Sequence, residues 1–272
     1  MPGAAVPAPD APDAPDTSVI EALPTAPPAV ARQRWRLVLA RASGVPDGSG
    51  RDQGEAWESA IEASGLPLFR PAGRARPRIA FGAPLPAGIA AERELADIVL
   101  MSFEPVWRVR EALADRLPVG WRLVDLHDVW LGVPALAGQV VAADYRIDLG
   151  AVDAQAMTAA AKGLLDAERL PRERLKGTSI VRYDLRPLLL DVRVVAAGPP
   201  LFVCARTRFH PELGTGRPAE VVAALGDVAG AALVIGSVVR ERLILADELD
   251  LSPDESHPQP EELDPGARAL GR

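Results

Sequence analysis

Cysteine, histidine and aromatic residues are scarce in this sequence of 272 residues. The single cysteine, Cys204, excludes an intrachain disulfide framework and an iron–sulfur cluster held by this chain alone. The three histidines, His127, His210 and His257, lack the spacing of metal ligands, and no nucleophile partners them. Aromatic residues make up 4% of the chain, and no strand shows the aromatic motif with which many RNA-binding sheets stack bases. The sequence therefore predicts no metal centre and no bound cofactor, and it favours a protein without catalytic activity of its own.

Long hydrophobic runs are also absent. No stretch of about 18 apolar residues occurs, so the sequence predicts no transmembrane helix. The first residues, Met1 to Ala5, lack the basic and apolar regions of a secretory signal. We therefore expect a cytoplasmic protein with no membrane partner.

Residues 1–31 and 247–272 differ in composition from the rest of the chain. The first segment is rich in Ala and Pro with scattered Asp, and the second is acidic. Such segments bury too little apolar surface to offset their loss of conformational entropy, so both are predicted to be disordered tails. They hold twelve of the 37 acidic residues and two of the 30 basic ones, which leaves 25 acidic and 28 basic residues in between. This mildly basic balance permits an anionic partner.

Periodicity between the tails predicts an α+β protein with two tandem halves, residues 32–136 and 137–246. The first half is predicted to contain strands at 34–39, 78–81, 95–101 and 122–130, a helix that ends before Gly65 and a helix whose first residue is Pro105. The second half is predicted to contain strands at 144–149, 180–183, 188–195, 201–208 and 233–245, a helix capped by Asp153 and a helix that opens at Pro218. The order β-α-β-β-α-β in each half is that of a ferredoxin-like domain. The strand at 180–183 is one more than this unit contains, and it is interpreted as an addition at a sheet edge.

An arginine-rich loop gives the main indication of a binding function. Arg70, Arg74, Arg76 and Arg78 lie within nine residues that Pro and Gly interrupt. Guanidinium groups form paired hydrogen bonds with phosphate or carboxylate, so this loop suits an anionic ligand. The alternative is a solvated loop, because the chain contains only two lysines and arginine is its common cation.

Several short motifs occur in order along the chain. They are Gly65-Leu66-Pro67, Pro77-Arg78-Ile79-Ala80-Phe81, Pro84-Leu85-Pro86-Ala87-Gly88, Asp184-Leu185-Arg186-Pro187 and Gly216-Arg217-Pro218-Ala219-Glu220-Val221. Together they resemble the radical SAM-linked protein family, whose function is unknown. The resemblance implies a radical SAM protein as partner, because family members are typically encoded beside one or fused to one. Arg186 and Arg217, in the last two motifs, complete the set of candidate anion-binding residues.

Two departures from that family concern histidine. Its Ser-His-Leu-Asp block is replaced by residues 48–52, and its His-Pro pair is replaced by Arg76-Pro77. Without these groups the chain has lost its best candidates for acid–base chemistry, since arginine does not give up a proton near neutral pH. The departures favour a binding protein over an enzyme.

Three functions remain open at this point. The favoured one is an accessory protein that works with a radical SAM partner and binds RNA or another anionic ligand through arginine-rich loops. The second is an enzyme that acts on a small anionic or RNA substrate in a cleft between the halves, with Arg76, Arg78 and Arg186 as substrate clamps. The third is a scaffold that contacts only its protein partner.

Limited proteolysis tests the predicted boundaries. We expect a protease to remove residues 1–31 and 247–272 and to leave a folded fragment, because disordered chain is cleaved faster than packed chain. Mass spectrometry of the products over time measures this order. Cleavage near Gly132–Gly138 at the same rate as in the tails would show two loosely tethered domains instead.

Overall fold

The computed structural model describes residues 30–46, 50–71, 76–176, 179–195 and 198–249. Eleven strands and five α-helices occur in this part of the chain. Nine of the strands form one mixed sheet, and the other two form a separate hairpin. The fold is therefore α+β, with a single large sheet that both halves of the chain build together. The predicted boundary between the halves, at residues 136 and 137, falls within a short helix.

The first half contributes four strands to the sheet. Its elements are β1 (Gln33–Arg41), α1 (Gly50–Ala63), β2 (Ala80–Phe81), β3 (Ala90–Leu100), α2 (Val106–Ala114), β4 (Trp121–Val129) and α3 (Leu136–Gln139). The strand order is β4-β1-β3, with β2 on the other side of β3, and all these neighbours are antiparallel. Alternation along β1 turns Trp35, Leu37 and Leu39 towards α1 and α2, where Trp57 and Leu113 complete a buried core.

The second half repeats that strand order. Its elements are β5 (Val140–Asp148), α4 (Ala154–Asp166), β6 (Pro171–Lys176), β7 (Ser179–Asp184), β8 (Leu189–Val195), β9 (Phe202–His210), β10 (Gly214–Thr215), α5 (Pro218–Ala229) and β11 (Ser237–Leu245). The order β8-β9-β5-β11 is antiparallel throughout, and β10 adds to β9. Helices α4 and α5 cover Tyr145 and Ile147 of β5, and this second core is the larger one.

Helix starts follow local chemistry in two of three predicted cases. Asp153 caps α4, because its Oδ1 accepts the backbone N–H of Gln155 at 2.8 Å. Pro218 is the first residue of α5, where a missing N–H has no consequence. The prediction for Pro105 is wrong by one residue, because Pro105 has an extended backbone and α2 begins at Val106.

Three strand predictions also need correction. Strand β3 begins at Ala90 rather than near residue 95, and β11 begins at Ser237 rather than at Leu233. The strand at 180–183 is no edge addition to the main sheet. It belongs to β7, which pairs only with β6 in the separate hairpin. Hydrophobic pattern identifies a strand but does not say which strand it pairs with.

The two halves join along one edge of β3. Strand β2 is only two residues long and pairs with Asp97 and Ala96 near the end of β3. The start of β3 is therefore open to β11, which runs parallel to it and pairs through Val239 and Arg240. This short parallel contact makes one continuous sheet out of two antiparallel parts.

A buried ion pair lies at this junction. Glu94 of β3 is 1% exposed and Arg240 of β11 is 0% exposed. The Arg240 Nε and Nη2 atoms donate to the two Glu94 carboxylate oxygens, each at 2.5 Å. Arg240 also donates to the backbone carbonyl oxygens of Pro84 at 2.9 Å and Ala83 at 3.3 Å. Burial raises the pKa of Glu94, whereas the Arg240 guanidinium acts in the opposite direction.

No helix among the described residues is long and apolar enough to cross a membrane.

A double-mutant cycle measures the coupling at the junction. We expect Arg240→Met or Glu94→Leu alone to lower the free energy of unfolding by roughly 3–5 kcal/mol, because each leaves an unpaired buried group. The double variant should lose less free energy of unfolding than the sum of the losses in the two single variants. Urea unfolding followed by circular dichroism gives the values.

Arg146 provides the matched control, because it pairs with Glu92 and Glu241 but is 36% exposed at its side chain. Arg146→Met should lower the free energy of unfolding by less than about 1 kcal/mol, because half-exposed ion pairs contribute little to stability. Additive effects of the two junction variants would contradict the coupling.

Candidate binding groove

A groove of about 670 Å³ lies where the two halves meet on the helix-bearing side of the sheet. Its size falls in the range of small-molecule sites. Two loops and the start of one helix form its walls. The lining residues are Pro84, Pro86, Ala87, Gly88, Ile89, Arg217, Pro218, Ala219, Ile235, Gly236, Ser237 and Val238.

The first wall is the proline-rich loop between β2 and β3. The loop begins at Gly82, whose backbone packs closely against Val140. A Cβ at Gly82 would lie 2.9 Å from the Cγ2 atom of Val140, so this close packing fixes the start of the loop. The hydrogen bonds from Arg240 then hold the carbonyl groups of Ala83 and Pro84. Gly88 has φ of +74°, a value that favours glycine, and it turns the chain into β3. The wall is therefore fixed at both of its ends.

The second wall is the turn that leads into α5. A Cβ at Gly216 would lie 2.8 Å from the carbonyl oxygen of Leu188, so the turn packs directly against its neighbour. The Thr207 hydroxyl donates to the Gly216 carbonyl oxygen at 3.0 Å. Arg217 is the N-cap residue of α5, and its carbonyl oxygen accepts the N–H groups of Glu220 and Val221. Its guanidinium is left exposed at the rim of the groove.

The groove is mainly apolar with one positive charge. Arg217 is the only charged residue among its lining residues, and it stands at the positive end of the helix dipole of α5. The nearby Glu220 carboxylate accepts a hydrogen bond from the hydroxyl group of Tyr183. Burial and the Glu220 carboxylate both raise the pKa of Tyr183. This arrangement suits a ligand with an apolar body and an anionic end.

The predicted arginines do not form one cluster. Arg70 donates to Glu62 at 2.9 Å in a surface ion pair. Arg76 and Arg78 are exposed, and neither has a hydrogen-bond or ion-pair partner within the described ranges. Arg74 lies outside the described residues, as do residues 1–29 and 250–272 of the predicted tails. Asp247 and Glu248, the first residues of the second predicted tail, are ordered in a short 3-10 turn after β11, so the predicted start of that tail is too early. Of the five candidates that the structure describes, only Arg217 lines the groove.

Arg186 has a different role from the predicted one. Its guanidinium donates to the backbone carbonyl oxygens of Leu165 at 2.8 Å, Ala167 at 3.1 Å and Leu189 at 2.9 Å. These bonds connect the carboxyl end of α4 to the start of β8. A guanidinium with three structural acceptors is a poor candidate for a substrate clamp.

Two described histidines and the cysteine lie away from the groove lining. His127 Nε2 is 3.6 Å from an Asp125 oxygen, and His210 Nδ1 accepts the backbone N–H groups of Glu212 and Leu213. Burial raises the pKa of the Cys204 thiol, which makes it a weak nucleophile. In the described part of the chain, no three His, Cys, Asp or Glu side chains are grouped as metal ligands.

Comparison with protein families gives one match that covers most of the chain. Residues 28–216 match the family described as uncharacterized proteins conserved in bacteria, DUF2344. The chain belongs to this family. The match includes the proline-rich wall and ends immediately before Arg217. The DUF2344 description names no partner, so the relation to a radical SAM protein stays a prediction.

Two solved structures show distant likenesses to this DUF2344 protein. One is a chain in the crystal structure of a Cbf5-Nop10-Gar1 complex, with 7% identity and a TM-score of 0.41. The match covers 76% of this chain and 49% of that one, so the DUF2344 chain spans about half the length of the chain in the complex. Another is an unknown protein from Galdieria sulphuraria, with 18% identity, a TM-score of 0.23, and coverage of 75% of this chain and 96% of that one. Neither likeness assigns an activity. No curated protein matches the sequence.

Half of the groove is not evident from the sequence of the DUF2344 chain. Residues 235–238 were included in a longer strand, although they form the groove wall beside Arg217. The Glu94–Arg240 pair was also missed. Its signal in the sequence is weak, because Glu94 stands beside Glu92 and Arg93, and Arg240 stands beside two further charged residues of β11. The partner lies 146 positions away, and one sequence alone does not identify it.

The different roles of the arginines can be separated by stability measurements. Arg186→Ala should lower the free energy of unfolding by roughly 2–3 kcal/mol, because three backbone acceptors lose a charged donor. Arg76→Ala and Arg78→Ala, at exposed positions, should each change it by less than about 0.5 kcal/mol. Urea unfolding of the three variants tests this ranking. Equal effects at all three positions would contradict the assignment of Arg186 to structure.

Proposed function

We propose that this DUF2344 chain is a non-catalytic binding protein that holds an anionic ligand in the groove between its halves. The observation that carries the proposal is the convergence of two sequence motifs on one groove. The Pro84–Gly88 motif supplies one wall and the Gly216–Val221 motif supplies the charged rim. Residues far apart in sequence are thereby brought to one mainly apolar site with a single cation.

The chemistry of the groove favours a particular class of ligand. Pro84, Pro86, Ile235 and Val238 provide apolar contact surface, and Arg217 provides paired N–H donors for a carboxylate or phosphate. An apolar body gains free energy from burial at about 25 cal/mol per Å², and the anionic end fixes its direction. We therefore favour a small organic anion over a bare ion.

A binding role fits the groove better than catalysis. Its described lining holds no histidine, cysteine or carboxylate, and Ser237 is the only hydroxyl-bearing residue in it. A nucleophile needs a base within hydrogen-bond reach, and none is found in this described lining. The alternative function, an enzyme acting in the cleft between the halves, would need a catalytic group from outside the described lining.

Two finer features belong to this proposal. The shared strand order of the two halves supports their interpretation as two ferredoxin-like units that fused into one sheet. The motif resemblance alone supports a radical SAM protein as the working partner. RNA is the second candidate ligand, since Arg76 and Arg78 present exposed guanidinium groups next to the groove loop in sequence.

Calorimetric titration with octanoate tests the groove. Octanoate has an apolar chain and a carboxylate, so it should bind more tightly than octanol or acetate, each of which lacks one part. Arg217→Gln should weaken octanoate binding by about tenfold, the loss of roughly one charge-assisted hydrogen bond. Ala87→Trp, which fills the groove from an exposed position, should abolish binding without loss of stability.

Arg78→Gln is the matched control, because it removes an exposed arginine outside the groove lining and should leave octanoate affinity unchanged. Equal affinities for octanoate and octanol would contradict the role of Arg217. RNA would replace the small anion as the ligand if oligouridine bound tightly and the joint change of Arg74, Arg76 and Arg78 to Ala flattened its salt dependence. Nucleic acid that co-purifies and is released by high salt would point the same way.

A further inference from the structure

A second cleft, of about 250 Å³, lies across the sheet from the groove. Arg36 and Val38 of β1 line it, and they alternate with Leu37 and Leu39, which face the helices. The cleft therefore opens on the opposite face of the sheet. Its lining residues are Arg36, Val38, Arg93, Leu95, His127, Val129, Arg242, Leu243, Leu245 and Glu248.

The sheet topology explains why a cleft forms here. Strands β3 and β11 pair only through residues 90–91 and 239–240. Beyond that point β2 takes the edge of β3, through Asp97 and Ala96. Arg93 and Leu95 of β3 and Arg242 and Leu245 of β11 thus line a gap that both halves of the chain border.

The cleft brings together basic residues from four different strands. Its described lining contains Arg36, Arg93, His127 and Arg242, and one acidic residue, Glu248. A Glu248 oxygen accepts the backbone N–H of Leu245 at 3.1 Å, so its carboxylate caps the turn after β11.

Two of the arginines are held in place by carboxylates. Arg36 donates to both oxygens of Asp97, at 2.9 and 3.2 Å. Arg242 donates to Asp144 at 2.9 Å, and the same carboxylate also accepts two bonds from Arg206. Burial alone would raise the pKa of Asp144, but the two guanidinium groups hold it below its ordinary value. Asp144 thereby fixes the position of the Arg242 guanidinium at the cleft.

Arg93 differs from these two. It is half-buried and has neither a hydrogen bond nor an ion pair with any residue of the described segments. A guanidinium taken partly out of water without an acceptor is costly unless a ligand provides one. Val38, Leu95 and Val129 lie around it and reduce competition from water.

We propose that the cleft lined by Arg36, Arg93, His127 and Arg242 is a second binding site, for the phosphoryl group of a small phosphate ester. Arg93 contacts the phosphoryl oxygens directly, because its donors have no other described acceptor. Arg36 and Arg242, fixed by Asp97 and Asp144, form a rigid basic wall beside it, and the apolar side chains contact the organic part of the ester. The site is separate from the groove and does not depend on its function.

Titration of the purified full chain with glycerol phosphate tests the site. At low salt, glycerol phosphate should bind more tightly than inorganic phosphate, since only the ester has an organic part to contact the apolar side chains. Arg93→Gln should weaken binding by tenfold or more and leave the melting temperature unchanged, because no described ion pair is broken. Glu248→Gln should strengthen binding severalfold, because it removes the only acidic residue of the cleft lining.

Two controls separate this site from the rest of the surface. Arg122→Gln removes an exposed arginine of β4 outside the cleft lining and should leave the affinity unchanged. Arg217→Gln, at the groove, should also leave glycerol phosphate binding unchanged, so failure of one site is distinguishable from failure of the other. The proposal is overturned by no detectable binding of either phosphate at millimolar concentration, by an unaltered affinity in Arg93→Gln, or by an equal loss in Arg122→Gln.

Discussion

The bidentate pair between Glu94 and Arg240 is the interaction on which the joined sheet depends. Both charges are withdrawn from water, so each requires the other as its counter-charge. Arg240 also donates to the carbonyl groups of Ala83 and Pro84. One side chain of the second half thus fixes a strand and a loop of the first half. Arg240 therefore fixes both the register of the β3–β11 contact and the position of the proline-rich wall.

Both clefts follow from this junction. The groove lies beside the starts of β3 and β11, and the basic cleft lies where the two strands separate. An arginine in this chain is therefore best classified by its acceptors. Arg186 and Arg240 have theirs within the fold, whereas Arg93 has none in the described chain and Arg217 is exposed at a groove. Density of arginine along the sequence does not distinguish these groups, because the acceptors come from distant segments.

Local features of the fold could be predicted from the sequence, and pairings could not. Alternation at Trp35, Leu37 and Leu39 identified a strand and its buried face, and Asp153 and Pro218 identified helix starts. These signals depend on neighbouring residues alone. The separate β6–β7 hairpin, the partner of Arg240 and the acceptors of Arg186 depend on residues brought together by folding. The described arginines of the arginine-rich loop accordingly line neither cleft, and the arginines that do come from other segments.

The two-residue length of β2 has a consequence for how the chain is made. Because β2 covers only part of the β3 edge, the start of that edge is left for β11, whose Val239 pairs with Ala90 from the opposite end of the described chain. During synthesis the first half emerges long before that strand exists, so an open strand edge and the unpaired Glu94 are exposed in the meantime. Closure of so distant a contact is also slow. The nascent protein therefore passes through an interval in which its incomplete sheet can pair with other chains.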